Sequence, residues 1–299
     1  MQAQATLSRI REPDIARRTW LGGIWRRFLR QRLAVLASVV LLAILLSALL
    51  APVIAPYDPE RIFPEGLGNP LAPNEKFWLG TDGRGRDLLS RLLWGGRISL
   101  AVGVTASTVT LCIAVLVGGL AGFSGGRVDY IIMRLVDLMM SIPSFFVILL
   151  LVALLKPSPL AVVSVIVLFG WPYPTRVFRS EALSLRRRDF ILAAQSLGAP
   201  TSMIFVRHLL PHIFPLLVVY LSLSVPSAIF TETTLSYLGL GVPPPTPTWG
   251  SMVLDGQPYY RVAPWLVLFP GLAIMLTGVC FNLVGTGLRE AIDPVRRER

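Results

Sequence analysis

Six stretches of this chain run for about twenty residues with few or no charges: approximately Leu33–Ala55, Ile98–Phe123, Tyr130–Leu155, Leu160–Phe178, Ile213–Ile229 and Trp265–Leu288. No other property narrows the possible folds as sharply. A helix rises about 1.5 Å per residue, so about 20 apolar residues match the hydrocarbon thickness of a bilayer. There every backbone N–H and C=O must find its partner inside the protein, which leaves only helices and closed barrels. Barrel strands alternate apolar and polar residues over about 10 positions, whereas these runs are apolar throughout. Composition agrees, with 54% of the 299 residues hydrophobic and 15% charged, against about 25% charged in a soluble domain. The expected fold class is all-α: an integral membrane protein with six transmembrane helices.

The net charge of +11 raises the question of nucleic acid. Where the arginines fall answers it. With the N-terminus in the cytoplasm, Arg9, Arg11, Arg17, Arg18, Arg26, Arg27, Arg30 and Arg32 lie inside. Arg127, Arg134, Arg176, Arg179, Arg186, Arg187, Arg188 and Arg207 follow, as do the C-terminal Arg289, Arg296, Arg297 and Arg299. That places about 20 basic residues inside and about 8 outside, the asymmetry that orients membrane proteins. Both termini are therefore expected in the cytoplasm. No aromatic residues interleave with these arginines as on a stacking platform, so nucleic acid is not an expected partner.

The first apolar run continues to Pro56, beyond a signal-peptide core of about 7–15 residues, and is read as an uncleaved span. Cys112 and Cys280 sit in uncharged apolar runs and are read as small hydrophobes, neither a disulfide nor a metal site. The expected organisation is a basic cytoplasmic segment 1–32, a first span 33–55, an external loop 56–97, a five-helix core 98–290 and a cytoplasmic tail 291–299. A cytoplasmic loop, 175–212, interrupts the core.

Both long connections are candidates for function. The external one carries Trp78-Leu79-Gly80-Thr81-Asp82-Gly83-Arg84-Gly85-Arg86-Asp87, where glycines permit tight turns and Arg and Asp can pair, and it reads as a structural clamp. The inner one contains a short helix that Asp189 can cap, with Ala193 and Ala194 inside it and Gly198 followed by Pro200 ending it. A small-residue face suits either a docking peg or a helix lying on lipid headgroups beside Arg186–Arg188. Arg134 and Asp137, spaced i, i+3, read as an ion pair at the inner end of the third span. Pro143 and Pro226 read as kinks, or as breaks at a gate where freed backbone groups face a cavity. Glu232 is the acidic residue nearest a span interior, read as solvated at the outer mouth or, alternatively, in contact with solute. His208 and His212 have the spacing of a metal pair, but Pro211 is expected to break the helix there and no third ligand is near.

Ala193-Ala194, three residues, Gly198, nine residues and His208-Leu209-Leu210-Pro211 together resemble the EAA loop of ABC importer permeases, E-A-A-x3-G-x9-I-x-L-P. Further blocks join it: Leu79-Gly80-Thr81-Asp82 with Gly85-Arg86-Asp87; Gly96-Arg97-Ile98-Ser99-Leu100; Thr231-Glu232 through Leu235-Ser236-Tyr237-Leu238-Gly239-Leu240-Gly241 to Trp249-Gly250; and Gly285-Thr286-Gly287-Leu288-Arg289-Glu290-Ala291-Ile292-Asp293-Pro294. Over nearly its whole length the chain is similar to the C-type subunits of the dipeptide, oligopeptide and nickel permease family. Leu192 stands where the general motif has Glu and His208 where it has Ile, so no carboxylate contact is expected at 192.

The resemblance implies a type I ABC importer permease fold in the bacterial plasma membrane. It implies a second homologous permease subunit, two cytoplasmic ATPase subunits and an external solute-binding protein. The residues it places in the ATPase-coupling loop are Asp189, Ala193, Ala194, Gly198, Ala199, Leu210 and Pro211; Pro143, Pro226 and Glu232 are the candidates for path or gate. The chain has lysines only at 76 and 156 and lacks a G-x-x-x-x-G-K-[ST] phosphate cradle, so ATP and Mg are expected on the partner ATPases, with no cofactor in this chain. Peptides are the expected solute, with glutathione or nickel complexes as alternatives. A secondary transporter should carry charges deep in its spans or matched unwound segments, and an intramembrane enzyme needs a nucleophile and base or a metal cluster; neither pattern is evident.

Overall fold

A computed structural model describes residues 22–156 and 158–292. After α1 (22–30) come α2 (Arg32–Leu49) and the short α3 (Ala51–Ile54). Two short antiparallel strands follow, β1 (Ile62–Leu67) and β2 (Arg84–Arg86). The remaining numbered elements are helices: α4 (Leu88–Ser124), α5 (Gly126–Ser141), α6 (Ser144–Leu154), α7 (Pro159–Gly170), α8 (Pro172–Arg186), α9 (Asp189–Ser196), α10 (Thr201–Ile204), α11 (Leu210–Tyr237), α12 (Trp249–Gly256) and α13 (Trp265–Ile292).

The long helices run between two poles. At one, Phe28 and Ala34 pack with Ala291, while Phe123 and Phe178 share a core with Ile191, Ile204 and Ile213. At the other, Ala48 meets Leu88, Trp249 and Leu266. The first pole gathers Arg26, Arg27, Arg30 and Arg32, the arginines of α5 and α8, Arg207 and Arg289; this excess assigns it to the cytoplasm.

The 37-residue α4 is the central post, and its glycines decide how closely others approach. A Cβ at Gly118 would lie 2.4 Å from the carbonyl oxygen of Thr175, and one at Gly122 would lie 2.5 Å from that of Arg179, so α4 and α8 touch backbone to backbone. At Gly103 a Cβ would fall 2.4 Å from Ile229 Cγ1, bringing α11 equally near. Small residues do this work in membranes because lipid offers no hydrophobic drive and close packing must supply the attraction.

Four helical segments are each long and apolar enough to cross a bilayer, and two bent pairs raise the number to six if each pair counts as one span. The third expected span is broken rather than kinked: α5 and α6 meet at 81°. Pro143 offers no N–H, and Ile142 before it is extended at φ −92°, ψ 131°, as residues preceding proline tend to be. The fourth bends by 47° between α7 and α8, where Pro172 starts the new helix. The expected loop 175–212 is mostly helix, because α8 continues to Arg186 and α10 runs into α11 through a π turn at Phe205–Leu209. Pro211 therefore does not break the helix: the wider turn before it leaves space for its ring, and proline is tolerated in a first turn.

Candidate functional site

The Arg-poor pole is held by two polar nodes. In the first, Asp82 and Asp255 bind two arginines that are almost wholly buried. Arg86 Nε donates to Asp82 Oδ2 at 2.7 Å and its Nη2 to Asp255 Oδ2 at 3.0 Å; Arg91 Nη2 donates to Asp255 Oδ2 at 3.1 Å and its Nε lies 3.4 Å from Asp82 Oδ2. Asp82 Oδ1 also accepts the N–H groups of Arg84 and Arg86, both at 2.9 Å. The glycines at 80 and 85, with φ of 85° and 74°, let the chain turn tightly enough to deliver these groups. Asp87 caps α4 by accepting from the backbone N–H and hydroxyl of Ser90. Burial pushes its carboxyl above the ordinary aspartate value while the Ser90 donors pull it back. The expected clamp is present, and it fastens the outer loop to α12.

The second node centres on Glu232. A solvated carboxylate was the expectation; instead Glu232 is fully buried in α11. The hydroxyls of Ser99 and Ser236 donate to it at 3.0 and 2.7 Å. Ser99 Oγ in turn accepts the backbone N–H of Trp249, so one carboxylate ties α4, α11 and the N-terminus of α12 together. Glu232→Gln is expected to unfold within about 1 kcal/mol of the parent, because hydroxyls can reverse their roles, whereas Glu232→Leu is expected to cost about 2–3 kcal/mol by stranding buried hydroxyls. Thermal unfolding of the purified protein in detergent reads the difference.

Between the nodes and the Arg-rich pole lies a cavity of about 600 Å3. Its wall comes from α4, α6, α7, α8 and α11 and is rich in hydroxyls: Ser107, Thr110, Ser144, Ser224, Ser227 and Thr231. Tyr173, Tyr220 and Arg289 border it. The break at Pro143 is what brings Ser144 to this wall, since Ser144 begins α6. Pro226 lies within continuous helix and borders a separate hollow with Phe145 and Asn282. Glu232 lines neither, although its neighbour Thr231 lines both.

At the Arg-rich pole α9 projects from the bundle. Its cap position is Arg188, not Asp189; Asp189 is the first helical residue, where its charge favours the positive helix end without a capping bond. The other end is as expected. Gly198, at φ 77°, donates its N–H to Gln195 O, and Ala199 donates to Ala194 O, the paired bonds of a Schellman motif. Ile191 is buried, Ala193 is exposed, and Leu197 is 87% exposed. Leu192 is exposed on the same helix. The Phe190 ring stacks on His212 at 4.9 Å, and His212 Nδ1 lies 2.6 Å from His208 O. This contact fixes α9 to the head of α11, near Leu210 and Pro211. Beside it, Arg176 donates to Asp137 at 2.5 Å and Arg179 binds Asp129 through two hydrogen bonds. Asp137 is thus held mainly by Arg176, its expected partner Arg134 standing at 3.9 Å. Among the described residues no group of three or more His, Cys, Asp or Glu side chains is placed to hold a metal.

Residues 114–298 match the family model of the binding-protein-dependent transport system inner membrane component, and residues 19–73 match that of the N-terminal transmembrane domain of oligopeptide transport permease C. The oligopeptide transport system permease protein OppC of Bacillus subtilis is 39% identical over 272 residues, covering 91% of this chain and 88% of that protein. The glutathione transport system permease protein GsiD of Pectobacterium atrosepticum is 39% identical over 290 residues, 97% and 95% of the two chains. The dipeptide transport system permease protein DppC of Bacillus subtilis is 36% identical over 292 residues, 96% and 90%. A protein whose helices can cross the membrane, matched in this way along nearly its whole length, belongs to the family of binding-protein-dependent transport system inner membrane components, the permease subunits of ABC importers.

Proposed function

We propose that this chain forms half of the membrane passage for peptides or peptide-like solutes, beside a second homologous permease, and is driven by two ATPase subunits that bind ATP and Mg. An external binding protein delivers the solute. The observation that carries the reading is α9: a short helix ended by a Schellman turn presents Leu197 almost bare beyond the Arg-rich pole. Leu192, 47% exposed on the same helix, adds to this apolar surface, and a partner covering both residues would remove it from water. The ATPase subunit is that partner, and the stack of Phe190 on His212 passes its movement to α11, so that the spans rock between inward and outward openings. The similarity to oligopeptide, dipeptide and glutathione permeases supports peptides as the solute class.

A bulky residue at Gly198 would strain its own backbone, since φ there is 77°. Leu197→Asp is the cleaner test. In the reconstituted complex with its binding protein, this substitution is expected to lower solute-stimulated ATP hydrolysis and vanadate-sensitive uptake about 10-fold, equivalent to about 1.4 kcal/mol, with thermal stability unchanged. Full stimulation in Leu197→Asp would show that α9 is not the docking element and return it to the headgroup surface.

A further inference from the structure

Ser107 and Thr110 of α4 are 2% and 6% exposed, both line the cavity, and neither hydroxyl has a hydrogen-bond partner within the chain. Leaving such a group unpaired costs about 1–3 kcal/mol. In an apolar helix the nearest remedy is the carbonyl four residues back, and Ser222, Thr231, Thr234 and Thr286 all take it. Ser107 and Thr110 do not. Spaced i, i+3, they share one face of α4. Ser224 and Ser227 repeat that spacing on α11, and Ser144 adds a hydroxyl from α6. Among the described residues lining the cavity none is a carboxylate, and the single charged group is Arg289.

A hydroxyl both donates and accepts, as a peptide bond does through its N–H and C=O. An amide entering the cavity loses water and needs replacement bonds. A wall without carboxylates, its one charge being Arg289, gives no opposite charge on which a basic side chain could lodge. The volume of about 600 Å3 falls within the usual range for small-solute sites, about 300–1,000 Å3. We infer that Ser107 and Thr110 are solute-contacting residues that hydrogen-bond the main-chain amides of a peptide in transit. This deepens the proposed function and rests on it.

The test is uptake by the reconstituted complex with its binding protein, comparing Ser107→Ala/Thr110→Val with Thr277→Val. Thr277 is a fair control because its hydroxyl is also buried and unpartnered but lies off the cavity. The double substitution is expected to lower peptide uptake per ATP hydrolysed about 3–10-fold, the worth of one or two hydrogen bonds, with stimulated ATP hydrolysis within about 2-fold and Thr277→Val at the parent level. Parent-level uptake in the double variant overturns the inference, as does an equal loss in Thr277→Val. Absence of binding-protein-stimulated hydrolysis in the parent complex would instead remove the importer reading beneath it. If the double variant does not assemble, the single substitutions Ser107→Ala and Thr110→Val decide instead: reduced uptake per ATP hydrolysed in either one supports the assignment, and parent-level uptake in both overturns it.

Discussion

Asp82→Ala is expected to destabilise the detergent-solubilised protein by about 3–5 kcal/mol, the usual consequence of removing one partner from a buried charge network. The side chains of Asp82, Arg86 and Arg91 are only 6%, 6% and 3% exposed, so neither guanidinium can recruit enough water to replace the lost carboxylate. Two backbone N–H groups, of Arg84 and Arg86, lose their acceptor as well. Asp255→Ala should cost less, about 1–2 kcal/mol, because its side chain is 30% exposed and water can take over part of its role. Thermal unfolding followed by loss of monodispersity measures both, and equal shifts for the two substitutions would contradict a buried clamp centred on Asp82. Replacing Asp82, Arg86, Arg91 and Asp255 together by apolar residues of similar volume should recover part of the loss, since the desolvation cost goes with the charges while the two backbone N–H groups stay unpaired.

Gly118→Leu is the second large effect. Its Cβ alone would stand 2.4 Å from Thr175 O and 3.0 Å from Arg179 N, both backbone atoms that cannot swing aside as a side chain can. The substitution must prise α8 from α4, and a cost of about 3 kcal/mol or more is expected, at or beyond the upper end for overpacked sites. Purified yield and thermal stability should both collapse, and uptake with them. Gly271→Ala is the contrast: nothing lies within 4 Å of a Cβ there. In the second turn of α13 that change should stabilise by about 0.5–1 kcal/mol through lower unfolded-state entropy.

The helices themselves were legible because a bilayer leaves a chain few options, and long uncharged runs can satisfy their backbone only as helix. The ends of α9 were partly legible for a local reason: Gly198 and Pro200 act within a turn of where they stand, so the Schellman end followed from neighbours alone. The start was misjudged by one position, with Arg188 in the place given to Asp189. Contacts across the fold were hidden. Asp255 is 169 residues from Arg86, and Ser99 is 133 from Glu232, so nothing beside Glu232 in sequence showed that it would be enclosed. Gly118 and Gly122, four apart on α4, were the overlooked signal for close helix packing. The cavity hydroxyls were harder still. Ser222 and Ser224 look alike in sequence, yet one bonds its own helix and the other faces the cavity, a distinction that exists only once α4 and α11 are packed.

The helix formed by Thr201–Tyr237 extends over 37 residues, about 55 Å at 1.5 Å per residue. One end adjoins the stack of Phe190 on His212 and the other carries Glu232. As a rod pivoting at its midpoint, it converts a tilt of about 5° into an arc of about 1.7 Å at Glu232, 13 residues from that midpoint. A displacement of that size is enough to break the 3.0 Å bond from Ser99. Ser236 rides on the same rod and travels with the carboxylate, whereas Ser99 belongs to α4 and does not. Any tilt of this rod against α4 therefore reads out as the making or breaking of a single hydroxyl–carboxylate bond at the far side of the membrane.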